Sequence, residues 1–537
     1  MERRDIIKSL SVLPFAGSVI PLDSLLSSSG GPKTPVPGQN IYQSIGVEPV
    51  INCVGTYTII GGSLERPEVV AAMHDASGFF VQYDELAFGV GRRLAEVTGA
   101  EWGMVSAGCA AGMKHVTAAC ISGGNPEKLI RIPDLTGFDK TEVVIPRRSR
   151  NAYDHAIRNI GVRIITVDTP EEMEKSLNSR TAMIYLMANN EVPADQPWSL
   201  ESIAKMAKPF NIPILVDAAA EDLTFPNVHL QRGATVVAYS GGKAICGPQC
   251  AGLLLGKKEI LMSAWQASSP HHGPCRDNKV GKEEMMGMLA AVEAWVKRDH
   301  VEKMKTWNLY LENISKRLSS VKGVTCSVRE PRGLSNHSPS LVISWNPAEL
   351  NTNGMDVAEE LATKQPRIAV HNNYLDDSGK TSITLSSGQM QPGNDKIVGD
   401  RIYEILSRNN SKPKEMAAPV ANLAGRWDVD IEFYSSKSQH TFFIEQDGNW
   451  IKGSHKGEFS LREMYGILDG DQIKLSSSER LVADNVPFVF YGTAASDKIE
   501  GQIYMGEYIA AKFTAKRHET RQNNRPIRVP KGQPLAT

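Results

Sequence analysis

The chain has 537 residues, with 59 lysines and arginines against 60 aspartates and glutamates, 41% hydrophobic residues and 7% aromatic ones. That length asks for more than one domain, and the near-zero charge balance gives no global field drawing the chain to nucleic acid or to an anionic membrane. The seven cysteines, Cys53, Cys109, Cys120, Cys246, Cys250, Cys275 and Cys326, are odd in number and scattered, so they do not read as a disulfide framework. Cys246 and Cys250 lie four apart, but no second ligand pair follows and no metal site is expected.

The N-terminus opens with Glu2-Arg3-Arg4-Asp-Ile-Ile-Lys8, then a short apolar stretch and small residues, the order of an export signal over residues 1–30. Its arginine pair looks like a twin-arginine signal, a route that exports proteins already folded and implies a periplasmic destination; without it the chain would stay cytoplasmic. Ser27 to Gly38 reads as a flexible linker, and no other run is apolar enough to span a bilayer, so stable membrane insertion is not expected.

A first domain is expected over 41–270. Pro49 to Thr58 reads as a strand and turn before a helix pattern from Pro67 through Ala76. Trp102-Gly-Met-Val-Ser106-Ala107-Gly108-Cys109-Ala110 then reads as a strand running into a helix. Small residues at such a turn leave the first backbone N–H groups of the helix free to bind a phosphate. Glu142 to Pro146 is the next strand, and Asn151 to Ile160 reads as a helix carrying Tyr153 and His155. Met183 to Met187 and Asn189-Asn190-Glu191 continue an alternation of strand, loop and helix that argues for a mostly parallel sheet.

Ile212-Pro-Ile-Leu-Val-Asp217 places a carboxylate at the end of a strand. Ala234 to Tyr239 is a second short strand, broken by Ser240-Gly-Gly, so that Lys243 sits on a loop among small residues. Partial desolvation there lowers an amine's pKa and makes it a nucleophile toward an aldehyde. A carboxylate a short distance upstream is what a pyridinium nitrogen needs as partner.

The runs Val216-Asp217-Ala-Ala-Ala-Glu221, Tyr239-Ser-Gly-Gly-Lys243 and Gly247-Pro-Gln249 resemble the selenocysteine-synthase-like (SelA-like) group of pyridoxal phosphate enzymes, and within it the D-glucosaminate-6-phosphate ammonia-lyase branch. The resemblance covers about Ile41 to Ser407. It implies an α/β, fold-type I architecture, a mostly parallel sheet in a large domain plus a small α/β subdomain over 271–410, and a homodimer or higher homo-oligomer. It implies pyridoxal 5'-phosphate as cofactor, with Lys243 as catalytic residue and Asp217 at the ring nitrogen. The phosphate would lie at Gly108, Cys109 and Ala110. Ala107 stands where a serine or threonine is expected, with Ser106 or Ser240 as substitutes. Ser149 stands where an aromatic residue or histidine would stack on the ring, leaving Arg150, Tyr153 or His155 to cover it. Thr56 and Thr58 become candidates for substrate contact, as does Arg276 in the basic segment His271 to Lys282. Arg367 is a candidate clamp for a substrate carboxylate.

The activity so implied is α,β-elimination with ammonia release from an amino-sugar acid or β-hydroxy amino acid. The same residues serve a racemase, an aldolase or an aminotransferase, and fold alone does not choose. A non-catalytic binding protein on this fold is the reading from another class, supported by Ala107 and Ser149.

Beyond Ser411 to Pro419 the pattern takes period two, from Gly425-Arg-Trp427 to Ala515, with turns at Gln446-Asp-Gly448 and Leu468-Asp-Gly470. An antiparallel barrel or sandwich over 420–518 follows, and the Gly-Arg-Trp start resembles lipocalin-like barrels. Its expected role is assembly or ligand binding. The tail 519–537 reads as extended.

Overall fold

The computed structural model describes residues 40–188, 192–408, 410, 415–478 and 486–519. The Arg3-Arg4 signal, the linker, Asn189 to Glu191 and the tail beyond Glu519 lie outside the described residues. By its contacts the chain divides into two units, described here one at a time, with the boundary beside Lys414.

In the first unit, β1 (Val50–Asn52) precedes a seven-stranded sheet of β2 (Trp102–Ser106), β3 (Glu142–Pro146), β4 (Arg163–Val167), β5 (Thr181–Met187), β6 (Ile214–Asp217), β7 (Val236–Ser240) and β8 (Gly252–Gly256). The order is β2-β8-β7-β6-β5-β3-β4, and β8 alone runs against the other six. β2, β3 and β8 are buried at every position, as strands covered by helices on both faces must be. The parallel strands deliver Ser106, Pro146, Asp217 and Ser240 to one edge, the carboxyl ends where ligands of such sheets bind.

A four-stranded antiparallel sheet of β9 (Thr325–Arg329), β10 (Ser340–Trp345), β12 (His371–Asn373) and β13 (Thr381–Ser386) forms the small subdomain. Helices His300–Leu318 and Asn394–Ser407 close its core around Leu311, Trp345 and Ile402. Two boundaries differ from the sequence reading. β1 pairs with β11 (Arg367–Ala369), and Cys53 joins the small core, so the N-terminal segment is tied to the small subdomain. Helix Lys282–Lys297, by contrast, gives Met285, Met288, Val292 and Trp295 to the large core, because that apolar face packs against helix Pro67–Ser77.

The second unit is a closed barrel of eight antiparallel strands from β14 (Gly425–Glu432) to β21 (Tyr508–Arg517). Alternate residues of β14 and β15 (Lys437–Asp447) point inward, which is the period-two signal. The interior is filled by side chains, with Trp427, Phe442 and Phe490 fully buried, and closure removes the exposed edges that a sandwich would keep. Inside it His455 bridges His440 at 2.7 Å and Ser477 at 2.9 Å. Among the described residues no helix is long and apolar enough to cross a membrane.

Candidate active site

Asp217 ends β6 with 2% of its surface exposed. The Tyr185 hydroxyl donates to its Oδ2 at 2.9 Å, the Ala219 N–H to its Oδ1 at 3.1 Å, and the Cys109 thiol lies 3.5 Å from Oδ1. Asn151 Nδ2 in turn donates to the Tyr185 oxygen at 2.9 Å. Burial pushes the Asp217 carboxyl above the usual carboxylate range, and the Tyr185 bond, the Ala219 N–H and the Lys243 charge pull it back. Burial first, and then the Asp217 charge, push the Tyr185 hydroxyl and the Cys109 thiol up, so both neighbours stay neutral donors.

Lys243 follows β7 through the buried pair Gly241-Gly242 and is half-buried, with its Nζ 6.0 Å from the centre of the Tyr153 ring. Of the three groups expected to cover a cofactor ring, Tyr153 is the one placed against the lysine. Arg150 is drawn off to Asp154, which is fully buried, and to Thr166 Oγ1 at 2.8 Å. His155 is exposed on a short helix, and Ser149 is buried. The segment is not one continuous helix: Asn151 caps a 3-10 turn, with Asp154 answering in a capping box, and that turn aims Tyr153.

The phosphate end lies at the start of helix Cys109–Ser122. Gly108, at φ 95°, makes the turn that residues with a Cβ resist. A Cβ on Gly252 of β8 would stand 2.4 Å from the Gly108 carbonyl carbon and 2.7 Å from the Cys109 nitrogen, so strand and helix start meet backbone to backbone. The first N–H groups of the helix, at Cys109 and Ala110, have no partner within it. Ser106 does not supply the missing hydroxyl: its Oγ donates to the Gly108 carbonyl at 2.9 Å and the residue is buried. Ser240, half-buried at the end of β7, has no hydrogen-bond partner for its hydroxyl among the described residues.

A cleft of about 530 Å³ begins at Ala244, the residue after Lys243, and runs between the large sheet and the small subdomain. Thr56 lines it; Thr58 is exposed outside it. Neither nominated arginine reaches it. Arg276 is exposed and bonds Ser269, and Arg367 donates to the carbonyls of Ala362 and Glu48. Sequence reasoning missed Asp222, Lys303 and His337, which do line the cleft, and Tyr185 and Asn151, which hold Asp217. Lys303 lies on an amphipathic helix and Tyr185 in a buried strand, positions that read as surface and core.

These groups fit pyridoxal phosphate. A buried carboxylate with no ion pair among the described residues, held ionisable by three neutral donors, suits a protonated ring nitrogen. Lys243 suits the aldehyde, and the helix start suits the phosphate.

No family model matches the chain. It is 29% identical over 364 residues to the D-glucosaminate-6-phosphate ammonia lyase of Salmonella typhimurium, covering 65% of this chain and 95% of that one. A solved structure of a D-glucosaminate-6-phosphate ammonia-lyase superimposes with a TM-score of 0.61 at 27% identity, over 69% of this chain and 98% of its own. The chain is a homologue of the SelA-like pyridoxal phosphate enzymes. The chain is also 27% identical to a 5'-C-glycyluridine monooxygenase-decarboxylase of a Streptomyces species, over 70% of this chain and 94% of that one. An L-seryl-tRNA(Sec) selenium transferase of Proteus mirabilis matches 48% of it at 24% identity. The ammonia lyase and the decarboxylase are each matched over nearly their whole length, while about a third of this chain has no counterpart in them.

Proposed function

We propose that this chain is a pyridoxal phosphate-dependent lyase that removes a β-hydroxyl and releases ammonia from an amino-sugar acid or β-hydroxy amino acid, leaving a 2-keto acid. The observation that carries the reading is the buried Asp217, held by neutral donors and without an ion pair among the described residues, on the scaffold of an ammonia-lyase. When bound, pyridoxal phosphate holds the substrate amine and draws electrons from Cα. Asp217 keeps the ring nitrogen protonated, and Tyr185 and the Ala219 N–H favour its ionised form against the push of burial. Tyr153 covers the site beside the lysine, and the Cys109 helix start holds the phosphate. The freed Lys243 amine takes the Cα proton at Nζ.

The test is ammonia and 2-keto acid release by the reconstituted protein from free amino-sugar acids, with Lys243→Ala as control. A racemised substrate or a transferred amino group would replace the lyase reading by one of its alternatives.

Periplasmic export, a homodimer and a lipocalin-like kinship of the barrel belong to the same proposal. Export rests on Arg3-Arg4 and is tested by fractionating cells that carry the double Arg→Lys variant. It favours a free amino-sugar acid over a phosphorylated one, because a phosphate monoester does not cross membranes unaided. The dimer rests on the SelA-like kinship, and light scattering tests it. The lipocalin likeness rests on Gly425-Arg-Trp427 and the eight-stranded closure.

A further inference from the structure

We propose that Lys303 receives the anionic end of the substrate, a carboxylate or a phosphate, in the cleft beside Lys243, with Asp222 in the same cleft accepting from substrate hydroxyls. This deepens the reading above and rests on it for the identity of the cleft as a substrate site.

Among the described residues, Lys303 is the only lysine or arginine that lines the cleft. Its ammonium lies 4.4 Å from the centre of the Trp307 ring and has neither a hydrogen bond nor an ion pair among the described residues. The arginines that would otherwise clamp an anion are spent elsewhere, Arg276 on Ser269 and Arg367 on two backbone carbonyls. The cleft histidines do not replace them. His300, His337 and His371 each place one ring nitrogen on a carbonyl, Nε2 on Trp295 at 3.1 Å, Nδ1 on Gly333 at 2.6 Å and Nε2 on Val54 at 3.1 Å. That nitrogen must be the donor, so in the neutral ring the other offers only a lone pair, which suits a hydroxyl and repels an anion.

The potential at this end of the cleft is positive beyond Lys303 itself. Arg298 and Arg66 lie close enough to act on its charge, and the Nε of both and the Nη1 of Arg298 are buried without a hydrogen bond among the described residues. Arg66 has one loose ion pair, to Glu68 at 3.5 Å. Asp222 carries the opposing charge, and no hydrogen bond or ion pair among the described residues ties its carboxylate to Lys303 or to any other group. A cation and a carboxylate that share a cleft without closing on each other fit a ligand with an anionic end and a hydroxylated body. A polyhydroxy acid is that class.

The test uses the cofactor-loaded protein and two acids that lack the reacting amine, D-gluconate and D-gluconate 6-phosphate, titrated calorimetrically. Neither can undergo elimination, so binding is read even if ammonia release fails. We expect Lys303→Met to weaken gluconate roughly tenfold or more, the scale of one charge-assisted hydrogen bond, and Lys303→Arg to stay within about threefold of wild type. Equal loss for both acids assigns Lys303 to the carboxylate; loss confined to the phosphorylated acid assigns it to the phosphate. Unchanged thermal midpoints and cofactor absorbance certify the variants. Wild-type affinity in Lys303→Met for both acids, or no binding of either acid to wild type, overturns the proposal.

Discussion

The Tyr185 hydroxyl donates to Asp217 Oδ2 at 2.9 Å, deep in the sheet and 32 residues away in sequence. This neutral bond is what lets a carboxylate 2% exposed stay available as an anion. Tyr185→Phe removes the donor and leaves burial to push the Asp217 carboxyl higher. We expect turnover to fall about tenfold with little change in fold stability, the cost of one hydrogen bond to a charged group. Asp217→Asn, which cannot hold the ring nitrogen protonated, should cost far more. Steady-state ammonia release checks both, and a Tyr185→Phe enzyme as fast as wild type would remove Tyr185 from this role.

Tyr153 and Arg150 are three residues apart and have separate fates. Tyr153→Ala takes away the ring 6.0 Å from Lys243 Nζ and should loosen cofactor about five- to tenfold while leaving the thermal midpoint alone. Arg150→Ala should do the reverse. Asp154 is fully buried and would keep Arg158 as its one ion pair among the described residues, so a destabilisation on the order of 2 kcal/mol is expected with cofactor affinity nearly intact. Cofactor titration beside thermal unfolding separates the two.

The barrel should make the chain acid-sensitive. Burial, with the neighbouring His440 and Arg462, pushes His455 down to about 3 from 6.5, and burial lowers His440 as well. A base whose folded pKa is depressed leaves the unfolded chain to take up the proton first. The stability is therefore fully present above about pH 6.5 and is lost as pH falls from there toward 3. His455→Phe, placed among Phe442, Phe488 and Phe490, should flatten that loss. Unfolding midpoints of the full chain from pH 7 to 4, wild type against variant, check it; parallel curves would remove His455 as the cause.

Much of this arrangement was legible because its parts are local. A lysine after a broken strand, a carboxylate at a strand end and small residues before a helix each declare themselves within a few residues, and a parallel sheet carries all three to one edge. The groups that complete the site are not local. Asn151, Tyr185 and Asp217 form one chain of hydrogen bonds from three elements, and nothing in the spacing of an asparagine and a strand tyrosine announces it. Lys303 stands on helix His300–Leu318 of the small subdomain, and only the fold brings that helix to a cleft shared with the loop after β7. Arginines misled for a plainer reason. A guanidinium on a long stem reaches equally well into a cleft or back to a carbonyl, and Arg367 took the carbonyls of Ala362 and Glu48.

The pH dependence of binding gives Lys303 a second, independent check. Burial pushes its ammonium down to about 8; the Arg298 and Arg66 charges add to this, while Cys246 and Asp222 oppose it. His300, His337 and His371 also line the cleft, as does Asp222. The anion site is therefore charged below pH 8 and discharges as the pH rises through it. Gluconate affinity should be flat from pH 6.5 to 7.5 and fall several-fold by about pH 9, roughly tenfold per unit once the amine is mostly neutral. Lys303→Arg keeps its charge throughout and should abolish that fall while retaining the affinity measured at neutral pH. A wild-type profile that stays level to pH 9, or an arginine variant that falls in parallel with wild type, would place the anion on another group of the cleft.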